Sequence, residues 1–260
     1  MSRISELFKK KNNDILNVYC TAGYPKLTST VEVMSALVAA GVDLIELGIP
    51  YSDPLADGTV IQASSAKALN NGMNIPLLFE QLKDIRNTGS KLQDVPVVFM
   101  GYLNPILQYG FERFCEQTEE SGIDGLIIPD IPMYEFEKEY QSIINKYHLD
   151  FIFLVTPETS EERIKKLDSL SSGFLYAVSS SSLTGSDKDF NSVEDYLKRL
   201  QSYKFKNPVL VGFGIKDKST FNAVSKYSNG AIIGSAYLQA LANAHEIDEA
   251  TAKFIKSVRE

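Results

Sequence analysis

Two carboxylates, Glu46 and Asp57, stand in one stretch of the sequence, "VDLIELGIPYSDPLADGTVIQ" (residues 42–62). Glu46 ends an apolar run that predicts a buried strand, and Asp57 follows in a loop rich in turn residues. A carboxyl group held away from water has a raised pKa and can exchange protons near neutral pH. The stretch therefore predicts acid/base chemistry. The structural alternatives are a salt bridge from Glu46 to an inward Lys or Arg and a purely local turn role for Asp57.

Glycines near the end of the chain give a second chemical signal. The segments "VGFGI" (211–215) and "IIGSAY" (232–237) follow two late apolar runs, and "SSSSLTG" (179–185) adds hydroxyl and amide donors. Glycine lets backbone N–H groups approach an anion closely, and a helix N-terminus carries partial positive charge. Together these segments predict a phosphate site, although each glycine alone could simply form a tight turn.

Short apolar runs alternate with amphipathic stretches along the whole chain, which predicts strands separated by helices. Runs that are apolar almost throughout are typical of parallel strands buried on both faces. The predicted strands are 17–22, 42–47, 96–101, 124–129, 150–155, 173–178, 208–213 and 230–235. This order predicts a single (β/α)₈ barrel domain over residues 1–260. A doubly wound open sheet is less favoured, because "GYPKLTST" after the first run contains no GxGxxG turn.

The barrel assigns a place to the chemical residues. Active sites of this fold lie at the C-terminal ends of the strands. Alternation puts Val42, Leu44 and Glu46 on one face, so that Glu46 is the last inward residue, at the barrel mouth. The loop with Asp57 must then fold over the mouth. The residues thus predict an enzyme with a carboxylate acid/base and a small phosphorylated substrate, and they leave that substrate open.

Composition excludes several other classes of protein. The net charge of −7 argues against nucleic-acid binding. Two isolated cysteines, Cys20 and Cys115, and two separated histidines, His148 and His245, provide no metal-ligand pattern. No segment is apolar for long enough to span a membrane. The N-terminus predicts a short amphipathic helix with Ile4, Leu7 and Phe8 on one face, and we expect a cytoplasmic protein.

Several motifs in the same order resemble the tryptophan synthase alpha subunit family. They are "YCTAGYP" (19–25), "ELGIPYSDPLADG" (46–58), "GYLNPILQYG" (101–110), "GLIIPDIP" (125–132), "LYAVSSSSLTG" (175–185), "GFGI" (212–215) and "GSA" (234–236). The resemblance implies a lyase that cleaves indole-3-glycerol phosphate to indole and glyceraldehyde 3-phosphate in a retro-aldol reaction. That reaction belongs to tryptophan biosynthesis.

The resemblance also implies roles for individual residues. By motif position Glu46 is the acid/base, Asp57 accepts the indole N–H hydrogen bond, and Tyr176 lies beside them as a third catalytic residue. The residues implied to bind substrate are Tyr19, Met100 and Tyr102 at the indole and Thr184, Gly185, Gly212, Phe213, Gly214, Gly234 and Ser235 at the phosphate. The stretch 179–185 departs from the Gly-Val-Thr-Gly often found in the family, which bears on loop closure and on communication with a partner.

The family further implies a partner, a beta subunit that carries pyridoxal phosphate and forms an alpha–beta–beta–alpha assembly. No cofactor is expected in this chain itself, and "PYSDPLADG" and "PDIP" are the candidate contacts with the partner. Three alternatives stay open at the level of sequence. They are another phosphate-binding barrel enzyme, a standalone indole-releasing lyase, and a catalytically silent barrel that serves as a scaffold.

Overall fold

The computed structural model describes residues 2–178, 190–212 and 214–260, without the side chains of residues 190–192. Within this part of the chain the strand segments are β1 (Ile15–Thr21), β2 (Leu44–Gly48), β3 (Val97–Met100), β4 (Gly125–Ile127), β5 (Asp150–Phe151), β6 (Leu154–Val155), β7 (Leu175–Val178), β8 (Val209–Gly212) and β9 (Gly230–Ile233).

Helices follow the strands as the periodicity predicts. They are α1 (Arg3–Lys10), α2 (Thr30–Ala39), α3 (Thr59–Asn70), α4 (Ile75–Leu82), α5 (Leu103–Tyr109), α6 (Phe111–Glu120), α7 (Met133–Glu135), α8 (Gln141–Lys146), α9 (Glu161–Leu170), α10 (Phe190–Ser202), α11 (Lys218–Ser225), α12 (Ser235–Ala242) and α13 (Ile247–Arg259), with a 3₁₀ turn at Leu27–Ser29 and a π-helical turn at Phe136–Tyr140. None of the helices in the described ranges is long and apolar enough to cross a membrane.

The strands form one parallel sheet in the order β5-β4-β3-β2-β1-β9-β8-β7-β6. Its two end segments, β5 and β6, are consecutive pieces of the single strand predicted over 150–155. On one side Ile152 N–H donates to the Leu126 carbonyl at 3.0 Å, and on the other Tyr176 N–H donates to the Phe153 carbonyl at 3.0 Å. The sheet therefore closes through this stretch, and the predicted (β/α)₈ barrel is confirmed with its fifth strand in two pieces.

Side chains alternate between the helix layer and the barrel interior. On the outer face Phe99 of β3 lies 5.9 Å from Phe79 of α4 and 5.9 Å from Phe114 of α6, measured between ring centroids. On the inner face, the strand register sets Tyr19 of β1 beside Glu46 of β2. The predicted inward orientation of Glu46 is thus correct, and large apolar side chains occupy the outer face of the strands.

Ion pairs tie the N-terminal ends of the strands together. Asp124, just before β4, accepts hydrogen bonds from Arg3 at 2.9 Å, Arg86 at 3.0 Å and Val97 N–H at 2.9 Å. Ile4 of α1 is fully buried, which confirms the predicted amphipathic N-terminal helix. These contacts hold the end of the barrel that lies opposite to the strand end bearing Glu46.

Candidate active site

Glu46 lies near the C-terminal end of β2 with its side chain inside the barrel, where only 1% of the residue is exposed. Burial, then the negative charge of Asp57, raises its pKa to about 8, while a hydrogen bond from Asn17 acts in the opposite direction. No Lys or Arg of the described part of the chain forms an ion pair with Glu46. The salt-bridge alternative for Glu46 is therefore not supported, and the carboxyl group is placed to hold or release a proton near neutral pH.

Asp57 lies in the loop between β2 and α3, half-buried, and burial raises its pKa to about 6. A hydrogen bond from the Tyr102 hydroxyl opposes this rise by stabilising the carboxylate. The same Tyr102 oxygen accepts the N–H of Ala56 at 3.0 Å. Tyr102 thus contacts both the loop backbone at Ala56 and the carboxylate of Asp57. A purely local turn role for Asp57 does not account for this contact, which crosses the barrel mouth.

Two tyrosines line the interior next to these carboxylates. The Tyr19 ring occupies the space over Gly48, where a Cβ would lie 2.0 Å from the hydroxyl oxygen. The Tyr176 ring occupies the equivalent space over Gly212, where a Cβ would lie 2.4 Å from its hydroxyl oxygen. Negative charge on Glu46 and Asp57 helps to raise the pKa of Tyr176, after burial as the main cause. The glycines therefore let both rings approach Glu46.

Three polar residues of the interior were not predicted as functional. Asn17 donates its side-chain amide to Glu46 at 3.3 Å, and both residues are buried. Thr21 donates to the Tyr19 hydroxyl at 3.3 Å and shares a 2.7 Å hydrogen bond with Ser64 of α3. The available signal for Asn17 was its place as a polar residue inside the apolar run 17–22.

The predicted substrate-binding residues divide into two groups. Met100, the last residue of β3, is buried and lies beside Gly48 in the strand register. Gly212 ends β8, Gly214 has a φ of +74°, and Gly234 precedes α12, whose first residue Ser235 is exposed. No side chain caps the N-terminus of α12, so no capping hydrogen bond occupies its first N–H groups.

Three predicted residues, Thr184, Gly185 and Phe213, lie outside the described residues, as does the whole stretch 179–185. The structure brings Glu46, Asp57, Tyr19, Tyr102 and Tyr176 together at one end of the barrel. The α12 N-terminus adjoins this group, because a Cβ on Gly234 would lie 3.5 Å from the Tyr19 Cβ. Within the described ranges, no cluster of three or more His, Cys, Asp or Glu side chains is placed to hold a metal ion.

Sequence comparison finds relatives along the full chain. A relative from Parabacteroides distasonis, named tryptophan synthase alpha chain, is 48% identical over 261 residues and is covered completely, as is this chain. A protein of the same name from Flavobacterium johnsoniae is 51% identical over 242 residues, which cover 93% of this chain and 94% of the relative.

Structural comparison gives the same result. A tryptophan synthase alpha subunit from Legionella pneumophila superimposes with a TM-score of 0.89 at 33% identity, covering 100% of this chain and 97% of the other. A chain of tryptophan synthase from Mycobacterium tuberculosis, in an aminoacrylate-bound form, gives a TM-score of 0.85 at 30% identity with both chains fully covered.

A sequence model for the family described as tryptophan synthase alpha chain matches residues 5–260. The match spans every described strand and the candidate site, and it agrees with the relatives in length and in fold. The resemblance read from the motifs is thereby confirmed, and another family of phosphate-binding barrels is not favoured. This chain belongs to the tryptophan synthase alpha chain family.

Proposed function

We propose that this chain is a lyase that cleaves indole-3-glycerol phosphate to indole and glyceraldehyde 3-phosphate. The observation that carries the proposal is the pair of carboxyl groups at the barrel mouth, with pKa values of about 8 for Glu46 and about 6 for Asp57. Near neutral pH, Glu46 is mainly protonated and Asp57 mainly ionised. One group can then act as an acid while the other stabilises positive charge.

Glu46 first gives its proton to carbon C3 of the indole ring. Its O–H bond breaks and a C3–H bond forms, which leaves a carboxylate on Glu46 and a cationic indolenine on the substrate. The carboxylate next removes the proton of the C3′ hydroxyl. As that O–H bond breaks, the C3′ carbonyl forms and the C3–C3′ electron pair returns to the ring. Glu46 ends protonated, ready for another cycle.

Asp57 accepts the indole N–H hydrogen bond in this proposal. Its negative charge is most useful while the ring is cationic, because the interaction is then stronger than with the neutral substrate. The Tyr102 hydroxyl supports this role, since its hydrogen bond favours the ionised form of Asp57. Tyr19, Met100 and Tyr176 would enclose the ring, and their burial would keep water from the indolenine.

The phosphate would be held by backbone N–H groups at Gly212, Gly214, Gly234 and Ser235. Support comes from the uncapped N-terminus of α12 beside Tyr19 and from the left-handed backbone of Gly214. Amide donors and the helix dipole can bind an anion without basic side chains, so the net charge of −7 is no obstacle. Phe213, Thr184 and Gly185 remain predicted members of this group.

The proposal is tested by measuring indole release for the wild type, for Glu46→Gln and for a matched control, Glu32→Gln. Gln has nearly the size of Glu and cannot supply the proton, so we expect kcat to fall by roughly 10²- to 10⁴-fold, the usual contribution of a general acid/base. Glu32 is exposed in the first turn of α2, and its substitution should leave kcat unchanged.

The result also separates the alternatives. Indole release that is weak for the chain alone and rises with a beta subunit supports the alpha-subunit function. High activity without any beta subunit would instead favour a standalone lyase. A wild type that releases no indole under either condition, despite a folded barrel, would leave a scaffolding role in its place.

A partner is supported by apolar side chains at the active-site end of the barrel. Within the described residues the exposed large apolar side chains are Leu55, Leu107 and Tyr134, exposed by 96%, 45% and 70%. Each lies in a segment that follows a strand C-terminus, the loop after β2, α5 after β3, and α7 after β4. We propose that this surface binds the beta subunit, with pyridoxal phosphate on that partner, in an alpha–beta–beta–alpha assembly.

Partner binding is tested by titrating Leu55→Ser and Lys253→Ser against the beta subunit in sedimentation experiments. Loss of one exposed apolar contact at a protein interface should weaken binding by about tenfold, whereas Lys253 lies on the outer helix α13 and should be neutral. Equal affinities for both variants would exclude the surface around Leu55. The mass of the complex reports the stoichiometry.

We further propose that residues 1–260 act as one catalytic domain in the cytoplasm. Support comes from α1, which packs Ile4 into the core and so belongs to the barrel itself. Cell fractionation with an antibody against the chain tests the location, and recovery with membranes or in the culture medium would contradict it.

A further inference from the structure

Asn17 contributes the one described side-chain amide that reaches the proposed acid/base. It lies on β1 with no exposed surface, and its Nδ2 donates to Oε2 of Glu46 at 3.3 Å. Its other end, Oδ1, is buried and has no hydrogen-bond partner among the described residues. Buried polar atoms are normally paired, because a polar atom that loses water without gaining a partner destabilises the fold. An amide with one paired and one unpaired end beside a catalytic carboxyl therefore requires an explanation.

We propose that Asn17 is a positioning residue that holds Glu46 in both of its protonation states, with its amide N–H bound to the carboxylate and its carbonyl oxygen bound to the protonated carboxyl. The proposal rests on the proposed function, in which Glu46 alternates between acid and base. A half-turn of the Asn17 amide group exchanges its two ends. That rotation moves no proton between the residues.

The donor end acts after the proton has left Glu46. A carboxylate that accepts a hydrogen bond is more stable, so the group is a stronger acid toward indole C3. The amide is neutral, so unlike a Lys or Arg it does not keep Glu46 ionised throughout. This matches the requirements of a group that must recover its proton at the end of each cycle.

The acceptor end acts while Glu46 is protonated. A carboxyl O–H then needs an acceptor, and the amide N–H facing it can no longer serve. The unpaired Oδ1 of Asn17 can accept the hydrogen bond of that O–H group. Of the interior strand residues, Leu44 and Ile232 are the register neighbours of Asn17 on either side, and their apolar side chains offer no competing partner.

Other groups also act on the proton affinity of Glu46 and must be considered in any test by pH. Negative charge on Asp57 raises the pKa of Glu46, and the neighbouring thiol and phenol groups interact with it when they ionise. The titratable groups that interact with Glu46 are Asp57 in the loop after β2, Tyr19 and Tyr176 on the inner face of β1 and β7, and Cys20 on the outer face of β1. The phenol and thiol groups have raised pKa values, so only Asp57 changes charge near neutral pH.

The experiment compares Asn17→Leu, Asn17→Asp and a control, Val18→Ala. Leu keeps the approximate size of Asn without either hydrogen bond, and Asp removes the donor and adds negative charge. Val18 is fully buried on the same strand but faces the helix layer, so its truncation perturbs packing without touching Glu46. Two readouts are used: the pH dependence of indole release, and ¹³C NMR titration of the Glu46 carboxyl carbon, assigned by its loss in Glu46→Gln.

We expect Asn17→Leu to move the Glu46 titration upward by about one pH unit and to lower kcat roughly tenfold, because the hydrogen bond lost from the charged carboxylate is stronger than the one lost from the neutral carboxyl. Asn17→Asp should move it further, and Val18→Ala should not move it. In the wild type, the ¹⁵N signal of the Asn17 amide should change at the same pH as the Glu46 carbon.

Unchanged midpoints in both Asn17 variants would overturn the proposal and leave Asn17 as a packing residue. An Asn17 amide signal that stays constant across the Glu46 titration would overturn the exchange of ends. The NMR titration needs no substrate, so it separates the two hypotheses. A shifted midpoint in a protein that releases no indole would support the coupling and overturn the proposed function.

Discussion

Glu46 and Asp57 are the same kind of acid in two different environments. Glu46 is enclosed by the barrel, where burial and the charge of Asp57 both oppose ionisation. Asp57 is less buried and receives a hydrogen bond from Tyr102, so its pKa rises less. Because the two groups repel each other when ionised, the lower-pKa group ionises first and keeps the other protonated. The division of roles follows from burial and from one hydroxyl group.

The pH dependence of kcat/KM should therefore be bell-shaped. Activity should rise as Asp57 ionises, with an apparent pKa of about 6, and fall as Glu46 loses its proton, with an apparent pKa of about 8. Asp57→Asn should remove the acidic limb and move the basic limb to lower pH, since it removes the charge that raises the pKa of Glu46. A basic limb that stays in place in Asp57→Asn would contradict the coupling.

At the residue scale, prediction from sequence succeeded where a periodic pattern was sufficient. Alternation along 42–47 placed Glu46 on the inner face of the strand. The outer face packs against apolar side chains of the helices, so a carboxylate does not fit there. Asn17 was missed because its partner is 29 positions away and adjoins it only after the strands pair. The Tyr102–Asp57 contact depends on the path of two loops, and a periodic pattern in the sequence does not predict the path of a loop.

At the scale of elements, the strands bring aromatic rings and glycines into matching positions. Gly48 on β2 lies beneath the Tyr19 ring of β1, and Gly212 on β8 lies beneath the Tyr176 ring of β7. In both pairs, adjacent strands combine a large inward side chain with a residue that has none. This complementarity creates the interior space in which both tyrosines can face Glu46.

Gly48→Ala should displace the Tyr19 ring, because the new Cβ would lie 2.0 Å from the hydroxyl and 2.4 Å from the ring carbon that bears it. A misplacement of this kind in an active site can lower kcat/KM by about 10²-fold. The control is Gly58→Ala, since Gly58 has ordinary backbone angles and no atom within 4 Å of its Cβ position. Steady-state kinetics check the prediction, and equal activity of the two variants would contradict it.

The strand and helix order was predictable because each element repeats a simple pattern of burial. Helix α3 is an exception, since its buried residues include Ser64, Ser65 and Ala68, which form no apolar stripe. The break between β5 and β6 lies inside a continuous apolar run, and sequence gives no sign of it. For the glycines, sequence indicated close approach to a phosphate, whereas Gly212 also has a packing role that requires the neighbouring strand.

At the scale of the molecule, the two ends of the barrel have different tasks. At the end where the strand C-termini lie, Glu46 and Asp57 form no ion pair with any described Lys or Arg, an arrangement that favours chemistry at the expense of stability. The opposite end contains satisfied ion pairs, among them Arg86 and Arg3 with Asp124. Arg86 also donates to the carbonyls of Val95 and Gly122, at 2.7 and 2.8 Å. We therefore expect the N-terminal end to stabilise the fold without contributing to turnover.

Arg86→Met should lower the free energy of unfolding by about 3 kcal/mol, because it leaves Asp124 buried with one cation fewer. The exposed pair of Lys165 with Glu161 provides the control, since solvent screens this pair and Lys165→Met should leave the free energy of unfolding nearly unchanged. Urea unfolding measures both changes. Below the unfolding transition kcat should be unchanged in either variant, and a selective loss of kcat in Arg86→Met would contradict the separation of the two ends.

We propose that the carboxylate pair breaks one carbon–carbon bond of a phosphorylated indole substrate. The most direct measurement follows both products at once, indole and glyceraldehyde 3-phosphate, during turnover of indole-3-glycerol phosphate by the wild type with its beta subunit withheld and then added. We expect equal amounts of the two products in both cases, formed faster with the partner. Consumption of the substrate without indole, or an isomer of the substrate as product, would contradict it.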